Sequence, residues 1–261
     1  MWRTSWIRRI EGEIAAGRWC ALATIVSADT EITAVGQKLL FLADGTILGD
    51  LGSPELAMRL VAAFTRERGV SRYYDVLLTI PEESGGGEAR VYVEVHAPEP
   101  ELVILGGGHV GKSVAHLASF VGLPFVIADD RPAFASEERF PLARSRHSGD
   151  LAEILPAIPT HEYSFIVICT RGHSYDELAV RVSLRKPHAY IGLLGSRRKA
   201  IEIARSLEEQ GYSKTELDRV HTPIGLDIGA ETPEEIAVSI LAEILSFARS
   251  KDLYKVQRIV G

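Results

Sequence analysis

At 261 residues the chain can bury one full hydrophobic core or two modest ones, and its 29 basic against 35 acidic residues give a net charge of −6 with no basic cluster suited to nucleic acid. Cys20 and Cys169 both lie in apolar runs, which excludes a disulfide framework and a cysteine–histidine metal site and reads as a reducing compartment. No apolar core follows Arg3, Arg8 and Arg9 and no apolar run has bilayer length, so neither signal peptide nor membrane helix is expected and the location read is cytoplasmic.

Trp6, Ile7, Ile10 and Ile14 recur at helical spacing through residues 3–16, and Gly17 ends that helix. Residues 19–26, WCALATIV, predict an apolar strand. A second at 39–43 is joined by Asp44-Gly45, a hairpin signal, to a third at 46–48. Ser53 and Pro54 start a helix that buries Leu56, Leu60, Ala63 and Phe64 and closes near Gly69. Residues 73–80 and 90–95 predict a hairpin across the loop at 85–87. In its second arm Val91, Val93 and Val95 alternate with Arg90, Tyr92 and Glu94, as a strand with one wet face requires. These elements make a small α+β domain over residues 1–97. The two prolines of HAPEPE, residues 96–101, stiffen the link to a second domain over 98–261.

The second domain opens on LVILGGGHVGKSVAHLASFVGLPFVIADDR, residues 102–131. A buried strand at 102–105 runs into Gly106, Gly108 and Gly111, spaced G-x-G-x-x-G. A helix at 112–121 stops at Gly122, and a strand at 125–128 ends on Asp129. Strand, glycine turn, helix, strand and acid follow in the order of a dinucleotide-binding unit. Gly106 permits the tight turn, Gly108 lets a pyrophosphate approach the backbone, and Gly111 lets the helix pack on the sheet. The helix N-terminus, with Gly107, His109 and Val110 in the turn, offers N–H groups to an anion. Asp129 would accept from a ribose diol, and Arg131 just beyond it can meet a 2′-phosphate, so NAD(P) is one ligand this unit suits. The other reading of the same pattern is a doubly wound sheet whose glycine turn is only a turn.

The βα alternation continues with a helix at 150–158, a strand at 163–170, a helix at 176–184, a strand at 190–194 and a helix at 197–210 ended by Gly211. Thr232-Pro-Glu-Glu235 is a capping box that launches a last helix at 236–248. The fold class is therefore α/β, a Rossmann-like parallel sheet preceded by the smaller α+β domain. Ligands of such sheets bind beyond the carboxyl ends of the strands. There the sequence places Arg171, Gly172, His173 and Asp176, and, after the next strand, Ser196, Arg197, Arg198 and Lys199. Three cations at a helix N-terminus oppose its dipole unless an anion is near, which fits a bound phosphate; the alternative is a solvated face capped by Ser196. Asp227, on a glycine-flanked loop, suits either ribose or backbone N–H groups. His109 reads as an exposed spacer, His221 as a turn residue and Cys169 as core. His173 has no evident partner, so no catalytic residue is assigned.

LVILGGGHVGKSVAHLASFVGLPFVIADDRP, YIGLLGSRRKA and RVHTPIGLDIGAETPEEIAVSILAEI together resemble the carboxyl-terminal domain of the XdhC/CoxI family, accessory factors of molybdenum hydroxylases such as xanthine dehydrogenase. The resemblance covers about residues 100–248 strongly and the first hundred weakly. It implies a chaperone that binds the molybdenum cofactor (molybdopterin), protects it during sulfuration and delivers it to an apo molybdenum hydroxylase client. The cofactor-binding set read from the glycine turn and the strand ends is Gly106, Gly107, Gly108, His109, Val110, Gly111, Asp129, Arg131, Arg171, His173, Ser196, Arg197, Arg198 and Asp227, with no protein metal ligand. Where the family carries a glycine-serine-proline-arginine motif, this chain reads ADTEIT. Where the family has glycine-glycine-cysteine-x-glutamate, it reads LGDLGSPEL, without the thiolate that would suit molybdenum. Either the cofactor is held through pterin and phosphate, or the chain is a divergent paralogue without that role. Rival expectations are an NAD(P)-dependent oxidoreductase working through His173 or Asp227, and a nucleotide-sensing module. Apolar edges on both domains are compatible with a homodimer.

Overall fold

A computed structural model describes residues 2–67, 73–80, 86–249 and 256–259. The chain divides into two compact units, Met1–Pro98 with Phe247–Gly261, and Glu99–Ser246.

The first unit contains α1 (Trp2–Ala15), β1 (Cys20–Ala28), β2 (Lys38–Leu42), β3 (Ile47–Asp50), α2 (Pro54–Glu67), β4 (Tyr73–Ile80) and β5 (Gly87–His96). Its sheet runs β12-β4-β5-β1-β2-β3, where β12 is Val256–Ile259. Successive side chains of a strand face opposite sides, so both sheet faces become core. Cys20, Leu40 and Leu42 pack with Trp6 and Ile10 of α1. On the other face Phe64 of α2 meets Trp19, Phe41 and Tyr74 with ring centroids 5.0–5.9 Å apart. Val91, Val93 and Val95 are buried as their alternation predicts. The predicted helix end near Gly69 and the glycine at 85 lie outside the described residues. The carboxyl-terminal residues group with this unit rather than with the second domain expected to run to 261, because β12 pairs parallel with β4.

The second unit is a doubly wound parallel sheet of β6 (Glu101–Leu105), β7 (Phe125–Asp129), β8 (Ser145–Ser148), β9 (Ser164–Ile168), β10 (Tyr190–Leu193) and β11 (Val220–His221) in the order β11-β10-β9-β6-β7-β8. The first strand, β6, lies beside the fourth, β9, so the chain reverses direction across the sheet between them, the place where such folds open a crevice. The helices are α3 (His109–Phe120), α4 (Leu151–Ala157), α5 (His173–Leu184), α6 (Arg197–Glu209), α7 (Lys214–Leu217) and α8 (Pro233–Arg249). α3 and α5 each begin three residues before the predicted start, since Gly108 and Gly172 serve as their N-caps. Hence His109, Val110 and Gly111 form the first turn of a helix rather than a loop. Among the described residues no helix is long and apolar enough to cross a membrane.

Candidate functional site

The turn after β6 is shaped by contacts that exclude a side chain. Gly106 has φ +117°, and a Cβ there would lie 2.2 Å from the Cys169 carbonyl oxygen. A Cβ at Gly107 would lie 1.7 Å from the Phe134 carbonyl oxygen, and one at Gly111 would lie 1.9 Å from that of Gly106. Gly108 differs: its φ of −63° suits any residue, and a Cβ there meets nothing within 4 Å. The first intrahelical bond of α3 runs from Lys112 N–H to the Gly108 carbonyl at 2.9 Å. The N–H groups of His109, Val110 and Gly111 therefore precede the helical ladder and carry the partial positive charge of the helix end.

Asp129 is 3% exposed and its carboxylate is engaged inside the fold. It accepts from Gly107 N–H at 2.8 Å, Arg131 N–H at 3.0 Å and the Arg131 guanidinium at 2.9 and 3.1 Å. Burial by itself would raise its pKa, but these donors outweigh burial and hold the carboxyl below its ordinary value. Asp129, expected from the sequence to meet a ribose diol, anchors the glycine turn in this structure. Arg131 is likewise occupied, by Asp129 and by the face of Phe134, 3.5 Å from its guanidinium carbon. Arg139, which sequence reasoning missed, donates to the Gly107 carbonyl at 2.9 Å. No spacing rule announces it, since it reaches back 32 residues.

The strand-end charges beyond β9 are also paired. Arg171 chelates Asp130, with Nε–Oδ2 at 3.1 Å. Asp176, fully buried, forms an ion pair with Lys199 and accepts from the Thr170 hydroxyl. Arg198 pairs with Glu202 one turn along α6 at 2.9 Å, and Ser196 caps that helix by accepting from Lys199 N–H at 3.3 Å. Protein carboxylates thus accompany two of the three cations at this helix end. Arg197 alone of the three has no ion-pair partner among the described residues and lines a cavity of about 470 Å³ together with Asp227. His109 is exposed; His173 is 4.0 Å from Glu202. His221 stacks on Tyr190 with ring centroids 4.4 Å apart, which makes it more than a turn residue. The Cys169 thiol donates to the Gly106 carbonyl at 3.3 Å, and burial pushes its pKa up to about 12, so it stays protonated and inert.

The family description "XdhC Rossmann domain" matches residues 102–244, from the start of β6 almost to the end of α8. The chain belongs to the XdhC family. Among relatives of this XdhC chain, the uncharacterised protein YqeB of Escherichia coli strain K12 is 31% identical over 233 residues, covering 86% of this chain and 43% of that one. A probable xanthine dehydrogenase subunit from Bacillus subtilis strain 168 is 29% identical over 155 residues, 59% of this chain and 45% of its own. The XdhC chain thus spans less than half the length of these curated relatives. A crystal structure of a xanthine dehydrogenase from Bacillus halodurans superposes with a TM-score of 0.51 at 21% identity over 94% of this chain and 96% of that one, a likeness of fold. The XdhC match covers the glycine-rich stretch, the strand end at 190–200 and the 219–244 stretch, so the glycine turn and the 223–230 loop are parts of one family domain.

Proposed function

We propose that this chain is an accessory protein of a molybdenum hydroxylase of the xanthine dehydrogenase type, which holds the phosphate-bearing part of the cofactor as cargo and assists its insertion into the apo-enzyme. The observation that carries the reading is the open position at Gly108, on the N-terminus of α3 and at the reversal point of the parallel sheet. Backbone N–H groups and the helix dipole there suit phosphate oxygens without any side chain. The donor set fits that end of the cofactor and not the metal. Burial pushes the Cys20 and Cys169 thiols up to about 12, Cys20 is fully buried, and Cys169 is engaged with Gly106. Among the described residues no group of three metal-ligating side chains converges. Retention of the cofactor in this reading works through pterin and phosphate, in keeping with the missing cysteine of the amino-terminal motif.

NAD(P) binding is the second reading, favoured by the strand order and by the acid at the end of β7. A single substitution tests both. Gly108→Asp places an N-capping carboxylate where the backbone has room, so α3 holds or gains a few tenths of a kcal/mol. The same charge repels phosphate. Anaerobic calorimetry with isolated molybdenum cofactor and with NAD(H) and NADP(H) should show binding of the cofactor to the native chain and a loss of about tenfold or more in the variant. Client activation in a reconstitution assay should fall with it. Nicotinamide nucleotide binding without cofactor binding or client activation would replace the accessory reading by the second one.

A further inference from the structure

The 223–230 loop builds a cavity past the carboxyl end of β10. Its volume of about 470 Å³ lies within the range of small-ligand sites, roughly 300–1,000 Å³. Leu194, Ile224 and Ile236 give it apolar walls, and Arg197 and Asp227 give it charge. The loop is fastened along its length. Ile224 N–H donates to the Leu193 carbonyl at 3.1 Å, extending the line of β10. The Ser239 hydroxyl of α8 donates to the Leu226 carbonyl at 2.7 Å, and Leu226 N–H returns to the Ser239 carbonyl at 3.2 Å. Glu231 and Thr232 N–H both donate to the Glu235 carboxylate, at 2.8 and 3.0 Å. Gly225, with φ +101°, lets Ser239 come this close, since a Cβ there would lie 2.2 Å from its Oγ. The cavity is preorganised, which lowers the ordering cost of binding.

Its two charges are unmatched. Among the described residues neither Arg197 nor Asp227 has a hydrogen-bonded or ion-paired side-chain partner, and they do not pair with each other, while Arg198 and Lys199 beside them do pair. An apolar slot with an unpaired cation and an unpaired carboxylate suits a flat ring that carries N–H donors at one edge and an anion on its substituent. We propose that this cavity binds a guanine-type mononucleotide: Asp227 accepts the adjacent ring and amino N–H donors, the apolar walls cover the ring faces, and Arg197 holds the phosphate. A carboxylate facing two such donors makes a bidentate, charge-assisted pair. A base without the donor pair leaves the carboxylate desolvated and unmatched, the stronger kind of discrimination. β10 and β6 are separated by β9, so their carboxyl ends lie about 10 Å apart along the sheet, two strand spacings. The assignment goes beyond the accessory reading and does not depend on it.

Calorimetry of the full chain with GMP, AMP and nicotinamide mononucleotide tests the assignment. GMP should bind about tenfold or more tightly than the other two. Asp227→Asn should remove that preference, and Arg197→Gln should weaken GMP about tenfold while leaving guanosine within about twofold. Both positions are exposed, so the variants should keep the native melting profile. Equal affinity for GMP and AMP, or a preference that survives Asp227→Asn, overturns it. GMP preference without client activation refutes only the accessory reading, and client activation without GMP preference refutes only this one.

Discussion

Beyond β7 and β9 the acids are matched inside the fold, Asp129 by Arg131, Asp130 by Arg171 and Asp176 by Lys199. One strand further, at the end of β10, Arg197 and Asp227 line a cavity with their charges unmatched. Both regions read alike in the sequence, as glycines and charges after an apolar strand. The difference teaches that charge at a strand end is not yet a binding site: a buried carboxylate recruits the nearest cation to offset its desolvation, and only charges that escape this remain for a ligand. At the glycine turn the groups left for a ligand are backbone N–H, whereas at the cavity they are side chains.

The sharpest break of this contrast is Gly107→Ala. With the Phe134 carbonyl oxygen 1.7 Å from the new Cβ, the turn and the segment over it cannot both keep their places. A loss of about 4 kcal/mol or more is expected in urea unfolding, in the class of severe core strain. Gly108→Asp, one residue on, should leave stability level, so a similar loss there would erase the distinction between the two glycines.

Next in size are two cations of one helical turn. Lys199→Met strands the fully buried Asp176 without its counter-charge and should cost about 3 kcal/mol or more. Arg197→Gln should change stability by no more than about 0.5 kcal/mol, since nothing in the fold depends on it. Comparable unfolding midpoints for the two variants would refute the division into structural and ligand-facing charge.

The smallest effect is pH-dependent. Asp129→Asn keeps the shape of the anchor and removes its charge, for an expected cost of about 2 kcal/mol near neutral pH. The folded carboxyl titrates below its ordinary value of 3.8, so the stabilisation is complete above that value and is lost as the pH falls through the folded one. Native chain and variant should therefore converge in stability as acid is added below 3.8, when denaturant midpoints are compared along the pH series. A gap that stays constant through that range would show that the carboxylate charge is not what holds the turn.

Much of the second unit was legible because its signals are local. Apolar strands of five residues and glycines at helix ends mark β6, α3 and β7, and the capping box at Thr232 marks the start of α8, with Glu235 N–H donating to its hydroxyl at 3.2 Å. β8 was not legible: its sequence SRHS is polar and becomes a strand only by pairing with β7 at the sheet edge. β11 and β12, of two and four residues, likewise depend on a neighbouring strand. At the site, Asp129 and Lys199 were legible by position, but their partners Gly107 and Asp176, 22 and 23 residues away in the chain, were not.

Periodicity, glycine spacing and capping residues by themselves determined that this chain forms a parallel α/β sheet with a glycine turn at its first strand, preceded by an α+β region, since each of those signals acts within a few residues. Tertiary structure alone decided which charges are used up: Asp176 meets Lys199, and Gly107 meets Asp129, across 23 and 22 residues of chain. It also decided that Arg197 and Asp227 share a cavity. Burial and ion pairing depend on which strand ends become neighbours, and that is set by the order of the sheet.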